Sequence, residues 1–138
     1  VANNPRDLRY SREHEWTRLQ ADGVAVVGIT DFAQHELGDV VFIDLPEVGS
    51  TVTQFDKMGE IESVKSVSDL FSPITGEVAE VNTEAVDQPE LVNQEPYGKG
   101  WLIKVRVSDR KQMGALLTVE QYEAFVAAEE AKKEQKGH

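Results

Sequence analysis

The chemistry this chain offers is concentrated at one lysine. Lys65 stands in Glu62-Ser63-Val64-Lys65, and Ser68-Asp69, Ser72-Pro73 and Gly76 follow at short intervals. A lysine amine with a reference pKa of ~10.4 is protonated at neutral pH, so it is acylated only when another enzyme brings it an activated acyl group. Acylation removes the charge. The chain has eight lysines, and most lysines of a folded protein are only solvated charge. Lys65 is set apart by what flanks it. Ile61 and Val64 precede it, and Val67, Leu70 and Phe71 follow. Ser-Pro and Thr-Gly then interrupt the pattern, because proline has no amide proton for a ladder and glycine enters positive φ freely. This predicts two short strands with Lys65 at the bend between them, a turn over 72–76, and a third strand over 77–82.

Two histidines lie among acids, His14 between Glu13 and Glu15, and His35 beside Glu36. Such groupings suggest a metal or acid/base site. On a strand, however, His14 and Glu15 would point to opposite faces, which weighs against a shared ligand set, and we expect no metal. No set of nucleophile, base and orienting group can be assembled, which argues against an independent enzyme. Trp16, Tyr97 and Trp101 are expected to pack, since a small β domain needs large side chains to fill it. Gly98 and Gly100 suit a turn better than a phosphate cradle, because no helix start follows them.

The elements that must position Lys65 are legible in order. Residues 3–10 form a polar arm. Residues 14–19 and 24–29 read as a hairpin around Ala21-Asp22-Gly23. Thr30 caps a short helix over 31–37, with Asp31 in its first turn and Gly38 at its end. The apolar run 40–45 predicts a strand buried on both faces, and 51–53 a brief edge segment. Residues 83–97 predict a long connection with one helical turn over 90–93. In 101–107, Trp101, Ile103, Val105 and Val107 alternate with Lys104 and Arg106, a half-buried strand. After a partly helical linker from Asp109, Thr118-Val119-Glu120-Gln121 has the form of a capping box. Tyr122, Phe125 and Val126 follow at helical spacing and are expected to pack on the body. Beyond Ala128 the residues are polar, so the helix is expected to fray.

Composition bounds the partners. The 138 residues fit a single domain over 1–138, with a core of about 10–107 and a C-terminal helical extension of about 109–133. No run approaches ~20 apolar residues, so no membrane-spanning helix is expected, and residues 1–7 hold no apolar signal core. Without cysteine, any redox sulfur must be brought in. A formal net charge of −11 argues against nucleic acid and anionic membrane, and favours partners with basic docking surfaces.

The Lys65 stretch resembles the biotinyl/lipoyl attachment domains and, in detail, the H-protein family of the glycine cleavage system. The resemblance extends through Tyr10, His14-Glu15-Trp16, Gly28-Ile29-Thr30-Asp31-Phe32-Ala33-Gln34, Leu37-Gly38-Asp39-Val40-Val41-Phe42 and Leu45-Pro46-Glu47-Val48-Gly49. It continues through Glu77-Val78, Val81-Asn82, Pro89-Glu90-Leu91-Val92-Asn93, Pro96-Tyr97-Gly98 and Gly100-Trp101. It departs at Glu36, where some members carry histidine. The resemblance implies a mainly β fold, a flattened barrel-sandwich of antiparallel sheets with short peripheral helices and a C-terminal helix. It implies lipoate attached covalently to Lys65, with Glu15 and Asp69 as contacts of the loaded arm, against the reading of both as ordinary carboxylates. Its implied partners are a pyridoxal-phosphate glycine decarboxylase, a tetrahydrofolate-dependent aminomethyltransferase, dihydrolipoamide dehydrogenase and lipoylating enzymes. The expected place is the cytoplasm in a bacterium or the mitochondrial matrix in a eukaryote, and the expected state is a monomer. A biotin-type carrier and an unmodified interaction barrel are the alternatives. Biotin domains usually flank the lysine with methionines, whereas here the neighbours are Val64 and Ser66.

Overall fold

The computed structural model describes residues 3–136. The chain begins with an antiparallel meander of β1 (Arg9–Tyr10), β2 (Glu15–Leu19) and β3 (Val24–Ile29). Asp22 accepts a 3.1 Å bond from Val24 N, and Gly23 adopts φ 85°, so the turn forms where local chemistry favours it. Thr30 Oγ1 accepts from Ala33 N at 3.1 Å and starts α1 (Asp31–Leu37); Gly38 ends it at φ 80°.

A second, three-stranded sheet follows, in the order β4 (Val40–Asp44), β6 (Lys57–Ser63), β7 (Val67–Phe71). The first sheet is completed by β5 (Thr51–Val52), β8 (Gly76–Val81) and β9 (Ile103–Val107), in the six-stranded order β1-β2-β3-β9-β8-β5. All the ladders are antiparallel. Val27, Val78, Ile103 and Val105 of the large sheet meet Ile43, Ile61 and Leu70 of the small one in the main core. Burying each such side chain contributes ~1.5–3 kcal/mol, so this contact dominates the stability of the sandwich. Among the described residues the sheets share no strand and close no barrel.

The outer face of the large sheet is covered too. A reciprocal capping box, Gln121 N to Thr118 Oγ1 at 3.2 Å and Thr118 N to Gln121 Oε1 at 3.0 Å, opens α4 (Val119–Lys136). Val119, Tyr122 and Val126 pack with Leu8, Tyr10, Trp16 and Val26 in a second apolar cluster. The Tyr10 and Tyr122 rings stack at 4.6 Å. Gly28 opposes Trp16 across the β2–β3 ladder, and a β-carbon there would come within 2.7 Å of the indole, so the glycine makes room for the ring.

Four expectations are corrected. The run 40–45 is an edge strand: a bulge between Val40 and Phe42 turns Val40 and Ile43 inward and leaves Val41 and Phe42 exposed. An unbroken apolar run does not encode which residues a bulge will turn out. The connection after β8 holds two short helices, α2 (Thr83–Asp87) and α3 (Glu90–Gln94), the first capped by Asn82. The arm over 3–10 is tied into the fold by β1, with Leu8 and Tyr10 buried. The last helix does not fray at Ala128 but runs to Lys136, because Glu129 bonds to His14 and Lys133 to Glu36. A 3-10 helix, Arg110–Ala115, forms the linker before α4.

Candidate functional site

Lys65 lies in the exposed bend between β6 and β7. Ser63 builds that bend. Its hydroxyl accepts from Lys65 N at 3.1 Å and from Ser66 N at 3.2 Å, while Ser63 N donates to Ser66 O at 2.8 Å. One buried hydroxyl thus satisfies two backbone amides that no ladder serves. Val64 N donates to Asp39 O at 3.0 Å, which docks the bend on the link between α1 and β4.

That link is shaped for the lysine. A β-carbon on Gly38 would come within 3.1 Å of Lys65 Cε, so the lysine stem lies where any other residue would place a side chain. Gly38 therefore serves its positive φ and this close approach together. Asn93 of α3 holds the link in place: Nδ2 donates to Gly38 O at 2.8 Å and to Gln34 Oε1 at 3.0 Å, and Oδ1 accepts from Val40 N at 2.9 Å.

A cleft of about 490 Å³ opens beside the bend. Ser66 and Ser68 line it on the hairpin side, and Ile29, Ile61, Leu70 and Phe71 give it apolar walls. Glu15 and Asp69 both line it, in different states. Glu15 is 1 % exposed; it accepts from Ser11 Oγ at 2.7 Å and from Phe71 N at 3.2 Å. Burial pushes its carboxyl up to about 8, against the lowering pull of these bonds, so it is mostly uncharged at neutral pH. Asp69 is half exposed, and its carboxylate lies 3.2 Å from Lys57 Nζ, which also reaches Glu60 at 3.2 Å.

His14 is not on β2. It precedes the strand at φ 71°, and its ring packs 4.9 Å from that of Phe32. Nδ1 lies 2.8 Å from Tyr122 Oη, and Nε2 3.0 Å from Glu129 Oε2. Burial holds the imidazole below its ordinary value, against the raising pull of Glu129. With the ring neutral, Nε2–H donates to Glu129 and Nδ1 accepts from Tyr122. The Tyr122 oxygen then accepts from Thr30, 2.7 Å away, whose own oxygen caps α1. Every hydroxyl in this relay has a partner, and the relay joins α4 to α1 across the His14 turn. His35 is exposed on α1 and takes no part.

The structure thus gathers Glu15, Asp69 and the Lys65 hairpin around one cleft. It adds residues that sequence reasoning missed as parts of the site: Ser63, Lys57, Phe32, Glu129 and Lys133. Of these only Ser63 carried a local signal, a serine two residues before a predicted bend.

This arrangement defines a carrier-type attachment domain, a small β-sandwich that presents one lysine on a hairpin beside a cleft. Residues 8–129 match the family described as Glycine cleavage H-protein. The chain is 53% identical over 126 residues to the glycine cleavage system H protein of Marinobacter nauticus, covering 91% of this chain and 97% of that one. It is 55% identical over 124 residues to that of a Geobacillus species, covering 90% and 97%. A crystal structure of a glycine cleavage system H protein from Mycobacterium marinum superposes with a TM-score of 0.81 at 45% identity, over 86% of this chain and 95% of that chain. The chain belongs to the glycine cleavage H-protein family.

Proposed function

We propose that Lys65 carries lipoate in amide linkage and that the protein is the lipoyl carrier of the glycine cleavage system. In this reading it bears the aminomethyl group derived from glycine from one enzyme to the next. The observation that carries the reading is the pairing of an exposed lysine, on a bend fixed by Ser63, with a cleft whose apolar walls end in carboxyl groups. Such a cleft suits an apolar acyl chain that ends in a cation.

Lipoate supplies the dithiol that takes up the aminomethyl group and is afterwards reoxidised. The chain supplies geometry. Ser63 and the Gly38 link hold the attachment point: Ser63 Oγ bonds Lys65 N, and the lysine stem lies against Gly38. Ile29, Ile61, Leu70 and Phe71 give the acyl chain an apolar wall. Glu15 and Asp69 line the cleft as well, Glu15 buried and bonded to Ser11 Oγ and Phe71 N, Asp69 paired with Lys57 Nζ. Tethering keeps a carried group at an effective concentration on the order of mM for each enzyme in turn. The partners of this reading are the pyridoxal-phosphate glycine decarboxylase, the tetrahydrofolate-dependent aminomethyltransferase, dihydrolipoamide dehydrogenase and the lipoylating enzymes. The carrier is a shared substrate of these enzymes and not a catalyst. A biotin-type carrier fits less well, since neither methionine flanks the lysine: they are Met58 and Met113.

Intact mass of the protein from a lipoylating host tests the reading, with tandem mass spectrometry to place the addition. A lipoyl increment on Lys65 alone is expected, and none in Lys65→Arg, which keeps charge but loses the acylable amine. The variant should fold and support no glycine decarboxylation. A biotinyl increment, or lipoate on another of the eight lysines, would overturn the reading.

A further inference from the structure

The cleft already contains a primary ammonium, and it belongs to the chain. Phe32 and Glu36 lie one helical turn apart on α1, on one face, and both line the cleft. Lys133 of α4 reaches across: its Nζ is bonded to the Glu36 carboxylate and lies 5.8 Å from the centroid of the Phe32 ring. A carboxylate beside an aromatic face is a general cradle for an ammonium, by charge and by the ring quadrupole. Lys133 lies beyond residues 8–129, the part that matches the family.

We propose that the Phe32–Glu36 cradle is a binding site for the ammonium end of the loaded arm, and that Lys133 is the resident ammonium the arm displaces. This rests on the carrier reading of Lys65. Three observations favour it. The other carboxyl groups implied for this task are compromised at neutral pH, Glu15 by its proton and Asp69 by Lys57. The resident pair is weak enough to exchange, because both side chains are well exposed, 64% for Lys133 and 41% for Glu36, and exposed ion pairs contribute little. Exchange also leaves α4 in place, since the Glu129–His14 bond and the contacts of Val126 hold the helix without Lys133. Lys133 then sets how long the loaded arm stays in the cleft: its ammonium competes for the same carboxylate.

Two measurements test this. In the unlipoylated 138-residue chain, methylammonium is titrated at constant ionic strength while the Phe32 ring protons are followed by NMR. Saturable shifts are expected in Lys133→Gln, weaker ones in the parent, and none in the Lys133→Gln, Glu36→Gln double variant; identical titrations in the three proteins would overturn the cradle. In the lipoylated and aminomethyl-loaded protein, loss of the group is followed by mass, as water adds and the free thiol, formaldehyde and ammonium are released. Lys133→Gln is expected to slow this loss roughly two- to five-fold, the range open to an exposed pair, and the double variant to erase that gain. Faster loss in Lys133→Gln would show that Lys133 helps to hold the arm, and the exchange would be wrong. The first measurement needs no lipoate, so the cradle can fail while the carrier reading stands, and the reverse.

Discussion

Asn93 and Gly38 are 55 residues apart in sequence, and Asn93 Nδ2 donates to the Gly38 carbonyl at 2.8 Å. The same side chain bonds Val40 N and Gln34 Oε1, so one amide fixes the link on which the Lys65 stem rests. The lysine is thus positioned by its own hairpin and by a helix far along the chain.

Asn93→Ala should cost ~1–3 kcal/mol, because it leaves Val40 N and Gly38 O without their partner in a part-buried place. Urea unfolding followed by circular dichroism measures this. The variant should also accept lipoate more slowly, since the surface under the bend loosens. Stability equal to that of the parent would show that water replaces the amide at no cost.

Exchanging Val64 and Lys65 keeps composition and charge but moves the amine off the stem position against Gly38. Ser63 Oγ bonds only the backbone of residues 65 and 66, so the bend should still form. The variant should therefore fold and be lipoylated far more slowly, as followed by intact mass with ligase, ATP and lipoate. Equal rates would mean that the ligase needs only an accessible lysine.

Glu15 makes stability depend on pH with a definite sign. Its folded-state value of about 8 lies above that of an unfolded glutamate, so the folded protein binds the extra proton between the two values. The contribution is greatest at the acid end of that window and declines as pH rises through it. Glu15→Gln keeps the shape and removes the titration. The variant should gain on the parent between about pH 5 and about pH 8, by on the order of a few kcal/mol. Parallel urea-derived stabilities across that range would show that Glu15 is charged throughout.

Association with the partner enzymes should weaken as salt rises, mainly through the association rate. The chain carries a formal net charge of −11, and the Debye length falls to ~8 Å at physiological ionic strength. Stopped-flow or surface-binding rates from about 0.05 M to about 0.5 M salt would check it; rates independent of salt would assign docking to apolar contacts alone. The exposed Val64 and Val67 beside Lys65 are where such contacts would be sought.

What the sequence by itself determined is what depends on a few adjacent residues. The Asp22-Gly23 turn, the Thr30 cap, the Thr118–Gln121 box and the bend at Lys65 each form by bonds within three residues, and each was legible. The resemblance then pointed to the lysine and its sandwich. Tertiary structure decided the rest. Val41 and Phe42 face outward because β4 is an edge strand with a bulge, a fact about neighbours that an apolar run does not contain. Glu15 becomes a neutral acid only when folding buries it, against the lowering pull of Ser11 and Phe71 N. Glu129 and Lys133 read as solvated helix face, since polar residues at a helix end are normally left to water. Only the packing of Tyr122 and Val126 aims that helix across the cleft, bringing Glu129 to His14 and Lys133 to Glu36 over 115 and 97 residues of sequence.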